Sequence, residues 1–461
     1  AGIVTATTFS GSGASLTALP AGNLTGTVAD ARISTLTASK LSGALPAISA
    51  ANLTNVPAAN VVGVHTSLTV TNATTTGTAV VGGGVTISES GIEASGIGIT
   101  CANINGTQIG GRKNIIINGA MNVAQRGTSY TGTDNFHTVD RILTSNGGLD
   151  ENCTMAQVDV SAGTTPYTEG FRKAFKMTNG NQTSGAESGD YVQIQTRLEA
   201  QDIANSGWNY TSTSSFVTLQ FWVKSSVAQN FYGYIRCKDG TAQGYPFETG
   251  SLSANTWTKI VKTIPGNSNL TFDNNNEEGF QINISPFWGT SYTGSVSLNA
   301  WGGFNGAART PDYTSTWYTT NDATFEITGL QLEVGSQATA FEHRTIGDEL
   351  TLCHRYCQVY PKSTGDKYGT VFNANVGNSG WVQGAFTFPE MRSSPTATSS
   401  GNFRILVRNN AVSVSSFNYY HASKNSLNPQ ALTSSTLTLG DGAMVTADND
   451  ASAKIILSSE L

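Results

Sequence analysis

The sequence contains few charged residues. Only 12 % of the 461 residues are Asp, Glu, Lys or Arg, and the formal net charge at pH 7 is −6. Globular proteins usually have about twice that share of charged residues. Because nucleic-acid binding needs basic patches that neutralise phosphates, we do not expect a nucleic-acid partner.

Long apolar runs and regularly spaced cysteines are also missing. No apolar segment approaches the roughly 18 residues of a membrane-spanning helix, so membrane insertion is not expected. The five cysteines are irregularly spaced, which argues against a disulfide framework and fits assembly in a reducing bacterial cytoplasm. No signal peptide opens the chain, which starts at Ala1, so we expect processing or a fragment, with any anchoring module upstream.

The motifs of common enzymes are absent too. There is no Gly-x-Ser-x-Gly, P-loop or dinucleotide motif, so we expect neither catalysis nor an organic cofactor. The acidic stretch 273–278, with Glu187 and Asp190, predicts a solvated loop or a weak Ca²⁺ site.

Zinc is the other metal for which the sequence contains candidate ligands. Cys353, His354 and Cys357, with His343, have the side-chain types of zinc ligands. The alternative is a helix that packs small thiols inward. The second well-spaced ligand pair is missing, so packing is favoured and no metal site is predicted there.

Small and hydroxyl-bearing residues take the place of charge. The sequence has 50 glycines and abundant Thr, Ser and Asn, while aromatics stand at 9 %, too high for a disordered chain. This mixture predicts an all-β protein of many short strands joined by tight turns.

Residues 1–112 form a distinct segment without Trp or Tyr. Short aliphatic bursts alternate with Gly, Ser and Thr, and 22–26, 40–43 and 51–55 share an x-Leu-[Ser/Thr]-[Gly/Asn] core. A disordered linker is the alternative, although Gly/Ser linkers do not carry regular Leu, Ile and Val. Too few large side chains are present to fill a core, so we expect an intertwined, fibrous shaft in a parallel homotrimer.

Residues 113–345 have the pattern of a globular β domain. Positions 217–223 and 280–284 alternate in side-chain character, as strands with one buried face do. The phase changes at Gly329, which predicts a β-bulge. We therefore predict a jelly-roll β-sandwich.

A short helix and a smaller domain complete the prediction. Residues 346–360 place Leu350, Cys353, Tyr356 and Cys357 on one helix face, which predicts a connecting helix. After Pro361 the β pattern resumes, so residues 361–461 are predicted to form a small distal β-sandwich.

An ordered series of motifs resembles a module of phage tail fibres. It opens with Asn114-Ile-Ile-Ile-Asn-Gly-Ala-Met-Asn-Val-Ala-Gln-Arg-Gly127 and continues with Val139-Asp140-Arg141. It closes with 331–335, Phe341-Glu-His-Arg344 and the acidic helix at 348–357. The repeats upstream resemble shaft repeats of marine and cyanobacterial phage fibres. Ile142 departs from the module, which often has Trp there, and 361–461 lie outside the resemblance.

The resemblance implies a bacteriophage tail fibre in the virion. It implies a homotrimer, a carbohydrate-binding type of sandwich, and adhesion to bacterial surface glycans without chemistry. It also implies phage tail or baseplate adaptor proteins as partners at the N-terminus. The rival from another class is a tailspike that depolymerises its receptor polysaccharide, but such spikes usually carry a long β-helix, which this strand spacing does not predict.

The motif residues have two interpretations, ligand contact or structure. Paired Arg–carboxylate groups are usual where charges leave water, which favours a buried ion-pair set joining the first and last strands. The structural motif comprises Asn118, Gly119, Gln125, Arg126, Gly127, Asp140, Arg141, Glu333, Glu342 and Arg344.

Aromatic residues in loop-like sequence are the candidate glycan contacts. Exposed rings can stack on the C–H faces of sugars, and the alternative is ordinary core packing. The first platform comprises Trp288, Tyr292, Trp301, Tyr313 and Trp317. In the distal domain, which we predict to make the decisive receptor contact, the candidates are Trp381, Tyr419, Tyr420 and His421.

Overall fold

The computed structural model describes residues 113–361 and 365–461, with a few isolated residues between 5 and 27. The chain divides into two compact units, Ala1–Ser95 and Gly96–Leu461. The predicted shaft at 1–112 lies outside the described ranges, and the elements below belong to the second unit.

The first part of this unit is a sandwich of two six-stranded antiparallel sheets. Its strands are β1 (Ser129–Thr131), β2 (Leu143–Gly147), β3 (Thr154–Asp159), β4 (Lys173–Thr178), β5 (Tyr191–Glu199), β6 (Phe216–Ser225), β7 (Asn230–Cys237), β8 (Gln243–Ser251), β9 (Thr258–Pro265), β10 (Glu278–Trp288), β11 (Gly302–Gly303) and β12 (Thr324–Val334). The first sheet has the order β1-β3-β4-β12-β6-β9, and the second has the order β11-β8-β7-β10-β5-β2.

The apolar faces of the two sheets enclose one core. Val217, Leu219 and Phe221 of β6 are fully buried, as the alternation predicted. Phe231 of the second sheet meets Phe325 of the first with ring centroids 4.9 Å apart. The prediction of a two-sheet all-β sandwich is confirmed.

Gly329 lies at an irregularity of β12. The pairing of β12 with β6 shifts between Thr328 and Gln331, as predicted for a bulge. Gly329 has a φ of +66°, and a Cβ there would lie 2.7 Å from the Phe171 ring. Conformation and space both require glycine at this position.

Four short helices occur in the described ranges: α1 (Thr165–Thr168), α2 (Ala200–Ala204), α3 (Thr316–Thr319) and α4 (Ile346–His354). The Thr345 side chain caps α4 by accepting a hydrogen bond from the Asp348 backbone N–H. The prediction of a helix through residue 360 is wrong, because 357–360 form a strand that pairs with residues about a hundred positions away. None of the helices in the described ranges is long and apolar enough to span a membrane.

The second part of the unit surrounds a smaller core. Its strands are β13 (Cys357–Tyr360), β14 (Thr370–Asn378), β15 (Trp381–Gln383), β16 (Phe386–Thr387), β17 (Thr396–Ser400), β18 (Phe403–Val407), β19 (Asn410–Ser413), β20 (Ser416–Tyr420), β21 (Ser426–Leu432), β22 (Gly442–Ala447) and β23 (Lys454–Ser458). The third sheet has the order β13-β23-β17. The fourth has the order β16-β21-β15-β14-β22-β18-β19, with β20 paired to β21. Both sheets contribute to the core, for example through Leu457 and Val445.

Candidate functional site

The opening motif forms a tight structural joint. The Asn118 side chain donates to the carbonyls of Val123 and Asp140 and accepts from the Val123 N–H, at 2.8–3.0 Å. A Cβ on Gly119 would lie 1.9 Å from the Leu330 carbonyl oxygen, so only glycine fits. Gly127 follows with a φ of +150°. These residues are buried or half-buried within the fold and are not available as a ligand surface.

The motif charges lie in an ion-pair network. Arg126 lies 3.8 Å from Asp140 and 3.1 Å from Glu460, and Arg141 contacts the other oxygen of Glu460. Gln125 donates to both carboxylate oxygens of Asp140. The side chains of these charged residues are less than a tenth exposed.

A second cluster lies at the helix α4 end of the motif. Arg344 lies 2.9 Å from Glu342 and 3.5 Å from Glu349. Glu333 departs from the predicted ion-pair set. Its carboxylate accepts from neutral donors, namely Gln331, Gln220 and Thr339.

Asp140 gives the network a pH dependence. Burial raises the pKa of Asp140 to about 6, although the nearby Arg126 charge opposes the rise. The folded state therefore holds the Asp140 proton more tightly than the unfolded state. The resulting stability is fully present below about pH 4 and is lost as pH rises through 6.

We predict that Asp140→Asn alters the pH profile of unfolding. Between pH 4 and pH 7 the wild type should lose about 2 kcal/mol relative to the variant, since only the wild type ionises a carboxyl at position 140. Urea unfolding of both proteins across this range measures the difference. Parallel stability profiles for the two proteins would contradict the assignment.

Sequence reasoning missed several members of these networks. Glu460 supplies the shared carboxylate from the far end of the chain. Glu199, whose side chain is fully buried, receives two hydrogen bonds from Arg355 at 2.6 and 2.7 Å and one from the Tyr356 hydroxyl at 2.5 Å. The partners in these contacts are at least 156 residues apart in the sequence, so no local sequence pattern indicates them.

A cavity of about 1030 Å³ lies between the two sandwiches. Its charged side chains already have protein partners. Arg126 bonds to Glu460, and Arg392 donates to the carbonyls of Ser459 and Glu460. Arg197 donates to the Leu461 carbonyl. We therefore regard this cavity as part of the junction between the sandwiches.

The outer face of the second sheet offers a different kind of surface. Residues 192, 194 and 198 of β5 face the core, so the alternate residues Tyr191, Gln193, Gln195 and Arg197 lie on the other face. Gln281 of β10 lies between Arg197 of β5 and Arg236 of β7 in the strand register. A polar row thus crosses three strands.

Hydrogen bonds fix the amides of this face. The Gln195 side-chain oxygen accepts from Gln281 and from Arg197. The Tyr234 hydroxyl donates to Gln193 at 3.3 Å. Such a preset array can exchange hydrogen bonds with ligand hydroxyls at little cost in side-chain ordering.

The segment after β10 folds over this face and forms a cavity of about 270 Å³, here named the outer cleft. Tyr292, Phe304 and Arg309 line it beside Trp288. The Arg309 guanidinium lies 4.3 Å from the Trp288 ring centroid and 4.9 Å from that of Tyr292. A second cavity of about 210 Å³ shares Tyr234, Phe304 and Arg309 with the cleft.

The predicted aromatic platform is divided by the structure. Tyr292 lines the outer cleft and is half-buried, whereas Trp288 borders the cleft with only 2 % of its surface exposed. Trp301 lines the adjoining cavity and donates to the Pro265 carbonyl. Tyr313 packs against the core and donates to the Tyr232 carbonyl. Trp317 is fully buried, so its assignment as a ligand contact is wrong.

The distal domain has its own polar surface. Asn375, Gln383, Gln430 and Asn418 lie directly opposite one another across β14, β15, β21 and β20, forming a row of four amides. A shallow cavity of about 460 Å³ beside it is lined by Trp381.

The other distal candidates have different environments. Tyr420 is 44 % exposed and lies opposite Asn428, which lines the same shallow cavity. His421 is exposed at the end of the strand. Tyr419 instead packs against the core beside Phe417, as its alternative interpretation had it.

The metal candidates have other contacts. Glu277 pairs with Arg392 at 3.4 Å, and Glu278 pairs with Lys238 at 3.0 Å. Cys353 and Cys357 are buried and are not joined in a disulfide, and burial raises the pKa of Cys353. In the described part of the chain, no group of three or more His, Cys, Asp or Glu is placed to hold a metal ion.

Comparisons with known proteins give only distant likenesses. No family model matches the chain, and no curated protein matches it. Among solved structures, a CBM4 structure has 10 % identity and a TM-score of 0.23, with coverage of 47 % of this chain and 97 % of that chain. A family 11 carbohydrate-binding module from Clostridium thermocellum, in complex with a mixed-linked tetrasaccharide, has 12 % identity and a TM-score of 0.21, with coverage of 47 % and 98 %. A family 30 carbohydrate-binding module has 10 % identity and a TM-score of 0.22, with coverage of 50 % and 95 %. At these TM-scores the likenesses carry no argument about function.

Proposed function

We propose that the protein binds glycans through the outer cleft. The observation that carries this proposal is the composition of the cleft, where fixed glutamine amides, tyrosines and arginines lie beside Trp288. Amide and guanidinium groups bond to sugar hydroxyls, and aromatic rings contact the C–H faces of the sugar. Small-ligand sites combine apolar and polar groups in this way.

We further propose that this binding serves host recognition by a bacteriophage tail fibre. The motif series from Asn114 to Cys357 supports this role through its resemblance to tail-fibre modules. The repeats in 1–112 support a homotrimer in the virion, attached to tail or baseplate proteins. Three copies of one weak site would adsorb to a repetitive cell surface with higher avidity than one copy. The amide row of the distal domain is a second candidate surface for the same function.

We propose binding without catalysis. Hydrolysis of a glycosidic bond by the common mechanisms needs two carboxyl groups flanking the bond. No described residue lining the outer cleft is Asp or Glu. The rival proposal, a depolymerising tailspike, would be supported if new reducing ends appeared when the protein is incubated with a bound polysaccharide.

Tyr292→Ala tests which surface binds the glycan. Tyr292 is half-buried on a loop and lines the cleft, so its loss should weaken binding roughly threefold to tenfold. Tyr420→Ala, at an exposed tyrosine of the distal domain, should leave binding unchanged. Affinity electrophoresis in gels containing bacterial surface polysaccharides measures both. The opposite result would move the site to the distal domain, as the sequence analysis predicted.

A further inference from the structure

The outer cleft has an imbalance of charge. Three arginines, Arg197, Arg236 and Arg309, line it, and none of its described lining residues carries negative charge. The chain as a whole has a net charge of −6. A local group of three cations in an acidic protein with few charges therefore needs a specific explanation.

One of the three arginines has a protein counterion. Arg197 lies 3.6 Å from Glu278 and donates to the Leu461 carbonyl at 2.7 Å. Its charge is therefore partly compensated within the fold.

The other two arginines have no carboxylate within salt-bridge distance in the described part of the chain. The Arg236 guanidinium lies over the Phe304 ring at 4.2 Å, and its Nε is buried without a hydrogen-bond partner. Arg309 uses its Nε to donate to the Gly306 carbonyl, and its guanidinium lies over Trp288 and Tyr292. Stacking on rings holds both groups in place without neutralising them.

Arg236 and Arg309 both line the outer cleft, and both act electrostatically on Tyr234. Phe304, which contacts Arg236, and Arg309 line both adjoining cavities together with Tyr234. Burial raises the pKa of Tyr234 to about 12, and the charges of Arg309, Arg236 and Arg197 oppose that rise. The Tyr234 hydroxyl thus marks a point that all three positive charges influence.

We propose that the outer cleft selects acidic glycans, with an anionic group of the sugar bound between Arg236 and Arg309. Guanidinium groups bind carboxylate and phosphate through paired, charge-assisted hydrogen bonds. Because stacking on the rings already holds both arginine side chains in place, binding of the anion costs less side-chain conformational entropy. The glutamines across β5 and β10 then bond to the hydroxyls of the same or the next sugar. This inference rests on the proposed glycan-binding function and names its ligand class.

The first test uses the unaltered protein. A panel of bacterial lipopolysaccharides and capsular polysaccharides is offered in three forms: native, with carboxyl groups reduced to alcohols, and dephosphorylated with hydrogen fluoride. We expect binding to native acidic members and at least a tenfold loss in one treated form, which identifies the anion as carboxylate or phosphate. Equal affinity for native and treated forms overturns the inference but leaves glycan binding intact. Binding to no member of the panel overturns both proposals.

The second test uses matched variants. Arg236→Gln and Arg309→Gln should each lower affinity for the acidic glycan tenfold or more, because each removes a charged donor while keeping an aliphatic stem. Arg408→Gln, at an exposed arginine paired with Asp441 in the distal domain, is the control and should bind as the wild type does. Thermal unfolding verifies that the variants fold. Unchanged affinity in both cleft variants overturns the assignment of the two arginines.

Discussion

Replacing Glu460 with Ala is expected to lower the free energy of unfolding by about 3–5 kcal/mol. The Glu460 carboxylate contacts both Arg126 and Arg141, and all three side chains are almost fully buried. Its removal leaves two arginines withdrawn from water, and among the described residues only Arg126 keeps a carboxylate within salt-bridge distance, that of Asp140 at 3.8 Å. An uncompensated buried charge costs far more than the loss of a surface ion pair. Urea unfolding followed by tryptophan fluorescence measures the loss.

The matched control for this variant is Glu390→Ala. Glu390 is exposed on the second sandwich, and its replacement should change stability by no more than about 0.5 kcal/mol. Similar small effects of both variants would show that Glu460 does not stabilise the junction.

The role of Glu460 changes how the distal domain can be tested. A chain ending at Pro361 would lack Glu460 and the strand β23 that pairs with β13. Loss of adsorption in such a chain would therefore report unfolding as much as the loss of a receptor site. Point variants such as Tyr420→Ala avoid this ambiguity.

Trp317→Ala should also destabilise the protein by about 3–5 kcal/mol, through a cavity in the core. Trp317 is fully buried, and its indole N–H donates to the Thr324 carbonyl at 3.1 Å. Its ring lies 6.5 Å from that of Phe325 in the core between the sheets. Any loss of glycan binding should be proportional to the fraction of unfolded protein. Under conditions in which the variant is fully folded, its affinity should equal that of the wild type.

Tyr368→Ala is the control for this prediction, because Tyr368 is 48 % exposed. It should change stability by no more than about 1 kcal/mol, the size of its exposed cation–π contact with Arg404 at 4.5 Å. A Trp317→Ala protein of normal stability that fails to bind glycans would contradict the burial argument and restore Trp317 as a ligand contact.

The strands were predictable where the pattern was local. Val217 to Val223 alternate because one face of β6 meets the core, and the bulge at Gly329 follows from the change of phase there. The end of helix α4 was not predictable in the same way. Residues 353, 356 and 357 fit a helical face, yet the pairing of Cys357 with Ser458 converts the last positions to a strand. Tertiary pairing of this kind overrides local periodicity.

The proposed binding surface was only partly predictable for a related reason. Aromatic residues in a glycine-rich segment indicated the region of the outer cleft, which Trp288 and Tyr292 line. The burial of each aromatic residue depends on partners elsewhere in the chain. The sequence therefore could not distinguish the buried Trp317 from residues that line the cleft. Gln193 and Gln195 gave only a weak signal in the sequence, two glutamines on one face of a strand.

The charged groups of the outer cleft have a consequence for the conditions under which the proposed glycan binding would be strong. The lining consists of Ser, Tyr, Gln, Arg, Trp and Phe, so its charge comes from arginine guanidinium groups. The proposed contact between the arginines and an acidic sugar would weaken as salt concentration rises, because dissolved ions screen guanidinium charges. Binding of an acidic sugar in the outer cleft would therefore be strongest at low salt concentration.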